Sequence, residues 1–136
     1  MGIYKEVHMN KYAQIAINVV KRINLDNSIN PKEAWEIEAN NLFGEGKASA
    51  KKGCPKNAFL GLCEEGLIKG IPKGEYITRS DNLNKEYVLE AYKYLKNNNS
   101  NITPLELWRK IGMDKKSHNS QMNILCELFK LGLINI

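Results

Sequence analysis

Apolar residues recur along this chain at the three-to-four spacing of buried helix faces. A first run sets Tyr12, Ile15, Ala16, Val19, Val20 and Ile23 on one stripe. A later run repeats the stripe with Tyr87, Val88, Ala91, Tyr92 and Leu95. The polar tract "NNNSN" ends it, because Asn and Ser side chains compete for backbone groups. Two further helices announce their starts. Thr103 is an N-cap, Pro104 suits the first helical position, and Glu106 completes a capping box. Asn30, Pro31 and Glu33 repeat that logic. Trp35 with Leu42, and Trp108 with Ile111, then define the inner faces of these helices as core anchors. A third helix type places Phe59, Leu62 and Cys63 on one face, and Leu125, Leu128 and Phe129 likewise. Gly66 and Gly132 each stand where a left-handed residue stops a helix, with Leu67 or Leu133 folding back onto it.

These elements repeat in order, which predicts an internal duplication. Gly66-Leu67-Ile68 returns as Gly132-Leu133-Ile134, and "NPKEAW" returns as "TPLELW". Tyr12 and Ala16 match Tyr87 and Ala91. The first copy carries the extra residues, most of them inside "LFGEGKASAKKG". After the first copy, "LIKGIPKGEYITR" has Pro72 and Gly74 as turn residues between two β-like runs, which predicts a wing. The second copy has no room for one. Its last residues form a single strand, with "GIYKEV" at the N-terminus as a candidate partner. The predicted fold is mainly α: two duplicated three-helix, winged-helix-like units with one small β-hairpin. Residues 1–80 make the first unit with its hairpin and residues 81–136 the second with a truncated wing, either separate or fused into one domain.

Composition narrows the partners. Of 136 residues, 43% are hydrophobic and 26% charged, as in ordinary globular proteins. The net charge of +5 suits a polyanion, although the surplus is modest. No apolar run is long enough to span a membrane, and the N-terminus lacks a signal-peptide core. Three cysteines without framework spacing predict no disulfides and a cytoplasmic setting.

In helix-turn-helix proteins the start of the third helix enters the major groove. Lys51, Lys52, Lys56 and Asn57 hold that place in the first copy, and Lys115, Lys116, His118, Asn119 and Gln121 in the second. Lysines supply phosphate attraction, and Asn or Gln can read base edges. A wing would add Lys69, Lys73 and Arg79. Against this stand Glu64 and Glu65 on the third helix and the lack of arginine on either third helix. Cys54 precedes Pro55, so it is expected as an N-cap whose thiolate the helix end and Lys52 and Lys56 would favour. Its counterpart is Ser120, which favours capping over chemistry. The histidines His8 and His118 lie in no recognisable catalytic context, and the Cys and His spacing matches no zinc pattern. "FGEGKASAKKG" fails as a phosphate loop, because Ala48 stands where Ser or Thr is needed. No cofactor is expected.

The stretch "GCPKNAFLGLCEEGLIKGIPKGEY", Gly53 to Tyr76, resembles the signature of a small family of uncharacterised bacterial proteins known only as a domain of unknown function. "TPLELW" and the closing "LGLI" fit the same family. The resemblance implies no activity and no functional residue. At the fold level the chain looks like tandem winged-helix or helix-turn-helix units. The leading expectation is a non-enzymatic binding module for duplex DNA or another polyanion. The alternatives are a protein-interaction or structural module, with a protein partner or a second copy, and, more distantly, a thiol enzyme or redox sensor using Cys54.

Overall fold

A computed structural model of the chain describes residues 9–78, 83–98 and 101–135. These residues form six α-helices: α1 Lys11–Leu25, α2 Pro31–Phe43, α3 Gly53–Glu64, α4 Leu83–Asn98, α5 Pro104–Lys110 and α6 Gln121–Lys130. A short 3₁₀ turn, Ser49–Lys51, precedes α3. No helix among the described residues is long and apolar enough to cross a membrane.

The local start signals act as their chemistry requires. The Asn10 side chain accepts from the N–H groups of Tyr12 and Ala13 and begins α1. Asn30 accepts from Glu33 N–H at 2.9 Å, with Pro31 in the first turn of α2. Thr103 and Glu106 form a reciprocal capping box at α5. Such caps each contribute about 1 kcal/mol. The two glycine stops match closely. Gly66 has φ +72 and Gly132 φ +71. Leu67 N–H donates to Leu62 O at 3.1 Å, and Leu133 N–H to Leu128 O at 2.9 Å.

The start of α3 corrects the expectation. Lys52 is the residue before the helix, so Cys54 and Pro55 sit inside its first turn and Cys54 is not a cap. Ser120 does precede α6, in a left-handed conformation with φ +69, but its side chain makes no capping bond. It accepts from the Asn10 side chain at 3.2 Å instead.

The hairpin is replaced by something else. Ile68 forms an isolated antiparallel bridge with Ile134. Lys69 N–H donates to Leu133 O at 2.9 Å and Asn135 N–H to Leu67 O at 2.7 Å. The segment after α3 and the last described residues therefore pair with each other across the fold. Residues 69–77 contain no strand. The reason lies in Glu64, only 9% exposed, whose Oε2 accepts from Tyr76 N–H at 2.7 Å and Ile77 N–H at 2.8 Å. Donors that a wing would have spent on a second strand are held on a carboxylate. The N-terminal segment "GIYKEV", expected beside the last residues, lies outside the described residues, as does Arg79.

The helices do not close into two separate three-helix units. α1 packs on α2 and on α6, while α3 packs most extensively on α4 and also on α6 and α2. One hydrophobic cluster draws on all six helices. That explains why more of α1 is buried than a single stripe foresees: Ala13 and Ile17 are buried along with Ile15, Ala16 and Val19. Around α3, Ala58, Phe59, Leu60, Gly61, Leu62 and Cys63 are all buried. Each fully buried Leu- or Phe-sized side chain contributes about 1.5–3 kcal/mol. Trp35 and Trp108 are fully enclosed, with Trp35 against Phe59 at 5.4 Å and Trp108 edge-on to Tyr87 at 5.5 Å. Leu42, expected inside, is 40% exposed, because α2 buries one narrow face.

The α3–α4 crossing is close at Gly61. A Cβ there would lie 2.7 Å from Lys85 Cγ and 3.0 Å from its Cα. One turn later Lys85 Nζ reaches Glu64 at 2.8 Å and Glu65 at 2.9 Å. Burial alone would raise the Glu64 carboxyl, but the Lys85 hydrogen bond and the N–H groups of Ile77 and Tyr76 outweigh it and hold it below the usual range.

Two outcomes follow for stability. Gly61→Ala is expected to destabilise by about 1–3 kcal/mol, seen as a lower urea midpoint at constant slope. An unchanged midpoint would mean that the helices do not meet there. Glu64→Gln is expected to cost about 2 kcal/mol at neutral pH. Because the folded carboxyl is depressed, its contribution is complete above the ordinary carboxylate pKa and is lost as pH falls through the folded value. The gap between wild type and Glu64→Gln should therefore close in acid, and a gap constant with pH would refute the carboxylate clamp.

Candidate functional site: a cleft between two helix starts

A cleft of about 410 Å³ lies where the starts of α3, α4 and α6 converge. Cys54 from α3 faces it, with Leu83, Asn84 and Tyr87 from α4 and Trp108 from α5. Lys116, Ser117, Asn119 and Gln121 close it from the segment leading into α6. Among the described residues none of those lining it is acidic. The tertiary structure thus brings together Cys54, Lys116, Asn119 and Gln121, which sequence had placed in separate copies.

Their roles differ from the expected ones. Gln121 is 2% exposed; its Nε2 donates to Asn84 Oδ1 at 2.9 Å and its Oε1 accepts from Asn119 N–H at 2.7 Å. It is a packed tie between α4 and α6, not a free base reader. His118 is half-buried against Trp108, ring centres 5.0 Å apart. Its Nε2 accepts from Met122 N–H at 3.0 Å, which caps α6 in place of Ser120. That bond needs the neutral ring, and burial lowers the imidazole pKa in the same direction.

The lysines divide into engaged and available. Lys56 is paired with Glu36 at 2.9 Å. Lys51, Lys52, Lys115 and Lys116 are exposed. Lys52 Nζ lies 6.0 Å from the Tyr12 ring centre. Lys116 Nζ lies 5.8 Å from the Tyr87 ring centre and 3.2 Å from its Oη. Asn57 is half-buried in the body of α3. Lys69 and Lys73 are exposed beyond the other end of α3, one helix length of roughly 18 Å from its start. The structure therefore does not join them to the cleft.

Two features were invisible in the sequence reading. Tyr87 and Asn84 belong to the cleft although they were read only as helix positions or not at all. Tyr87 looks like a core residue by its spacing, but it is only half-buried, between Trp108 of α5 and Lys116, and so lines the cleft. The thiols Cys63 and Cys126 are buried, and burial, with the neighbouring Glu127 charge, pushes Cys126 up to about 11. Among the described residues no three His, Cys, Asp or Glu side chains gather as a metal site.

His118 sets a pH test. An imidazole whose folded pKa is depressed contributes stability present above its unfolded value, about 6.5, and lost as pH falls through the folded one. Wild type should lose about 1 kcal/mol between neutral and mildly acidic pH beyond His118→Asn, followed by thermal or urea unfolding. Parallel profiles for the two proteins would exclude the cap.

No curated protein and no solved structure matches the chain. A family model described as a family of unknown function (DUF6979) matches residues 9–135, nearly the whole of the chain. The chain belongs to this family of unknown function.

Proposed function

We propose that this protein is a non-enzymatic binding module that docks on a polyanion, duplex DNA being the leading candidate, at the rim where α3 and α6 begin. The observation that carries this reading is the convergence of the α3 and α6 starts on one cleft, with Lys116 in its lining and Lys51, Lys52 and Lys115 exposed in the segments that lead into these helices. Lys51, Lys52, Lys115 and Lys116 supply the phosphate contacts. The order of three helices in each half, the third stopped by glycine, supports a helix-turn-helix kinship. The docking differs from that of base readers. With Gln121 and His118 engaged internally, contact is to phosphates, which position a protein without reading sequence.

A thiol enzyme is disfavoured by the company Cys54 keeps. Among the described residues no imidazole or carboxylate lines its cleft to take the thiol proton.

Fluorescence anisotropy with a labelled duplex across a salt series tests the proposal. Affinity should fall steeply with salt, at a slope of about 0.9 per phosphate contact on logarithmic axes. Changing Lys52 and Lys116 together to Gln should reduce that slope by about two, with little dependence on base sequence. Absence of binding at low salt would remove the proposal. A slope unmoved by the double change would place the contact elsewhere.

A further inference from the structure

The same cleft carries a second ligand chemistry that does not depend on duplex docking. At about 410 Å³ it is at the small end of ligand pockets, roughly 300–1,000 Å³, and too narrow to admit a duplex. Its wall is aromatic at Tyr87 and amide-rich at Asn84 and Asn119. Gln121 uses the Oδ1 of Asn84, which leaves the Asn84 nitrogen to donate. Asn119 donates through its Nδ2 to Ser117 O at 3.4 Å, which leaves its Oδ1 to accept. The wall thus offers one donor and one acceptor, the pairing that a nucleobase edge presents.

Lys116 supplies the charge. Several lysines are tied to carboxylates: Lys32 and Lys56 to Glu36, Lys85 to Glu64 and Glu65, Lys130 to Glu127. Lys11 and Lys52, like Lys116, lie over aromatic rings, but of these three only Lys116 lines the cleft. Lys116 is instead held over a neutral phenol ring, so its position is defined while its charge is not neutralised. An anion entering the cleft meets a cation already in place, and none of the described residues lining it is acidic. We propose that this cleft binds a nucleoside monophosphate unit, free or at the end of a strand, with its phosphate on Lys116 and its base against the Tyr87 edge and the two amides.

Cys54 provides the readout, because it lines the cleft while Cys63 and Cys126 are buried. Iodoacetamide labelling of Cys54, followed by peptide mass, is measured with adenosine monophosphate, adenosine, inorganic phosphate or a 5′-phosphorylated trinucleotide. At five times its dissociation constant a ligand that covers the thiol should slow labelling about sixfold by mass action. Slowing by the monophosphate or the trinucleotide supports the proposal and identifies the source. Adenosine and phosphate at the same concentration should protect far less. Lys116→Met should abolish protection and Lys116→Arg should keep most of it. In Cys54→Ser, shifts of the Tyr87 and Trp108 ring resonances on adding the monophosphate keep the test independent of the thiol. No protection by either phosphate ligand at roughly 10 mM, equal protection by adenosine, or full protection in Lys116→Met would each overturn it. Duplex binding is scored separately, so failure of the rim and failure of the cleft remain distinguishable.

Discussion

The near-contact of α3 with α4 at Gly61 is the constraint on which the rest of this structure depends. Without a side chain at that position α4 comes within contact of the α3 backbone, and Lys85 then falls in reach of Glu64. Glu64 in turn gathers the N–H groups of Tyr76 and Ile77, so the segment after α3 lies along the helix end and does not project as a wing. With α3 committed to the second half of the chain, α1 is left to pack on α6. The Ile68–Ile134 bridge completes the exchange. Helices from the two halves of the chain thus complete one another's packing around a single hydrophobic cluster.

The cleft is a by-product of that exchange. Packing α3 on α4 and α4 on α6 sets three helix starts side by side, and their first turns leave a hollow between them. How the lysines around it are held matters more than how many there are. A lysine paired to a carboxylate, such as Lys56, has spent its charge within the protein. A lysine resting on an aromatic face, such as Lys52 or Lys116, keeps most of it for a ligand, since such contacts are worth only about 0.5–1 kcal/mol at exposed sites. The polar groups at the α6 start, by contrast, are consumed in building the helix.

How much could be read beforehand varied with the reach of each interaction. The caps at Asn30 and Thr103 and the glycine stops at Gly66 and Gly132 were legible, because they join residues within a few positions of one another. The tryptophan anchors were legible too, from size and spacing. On the third helix Glu64 counts, with Glu65, against a polyanion, and nothing in "LCEEGL" distinguishes the two. Gln121 and His118 were read as groups facing outward. Their partners, Asn84 and Trp108, lie on other helices, and a polar side chain gives no periodic sign of whether it meets water or a distant amide.

The sequence by itself determined most helix starts and the glycine stops, which stripes are apolar, and that the chain carries surplus positive charge. Those properties rest on local sterics, short-range hydrogen bonds and composition. Only the tertiary structure decided that α3 packs on α4 and α1 on α6, that the expected wing lies against Glu64, and that Cys54 shares a cleft with Lys116. These depend on how closely two helix axes can approach, and that distance is set by the absence of one Cβ at Gly61, a feature no hydrophobic pattern records.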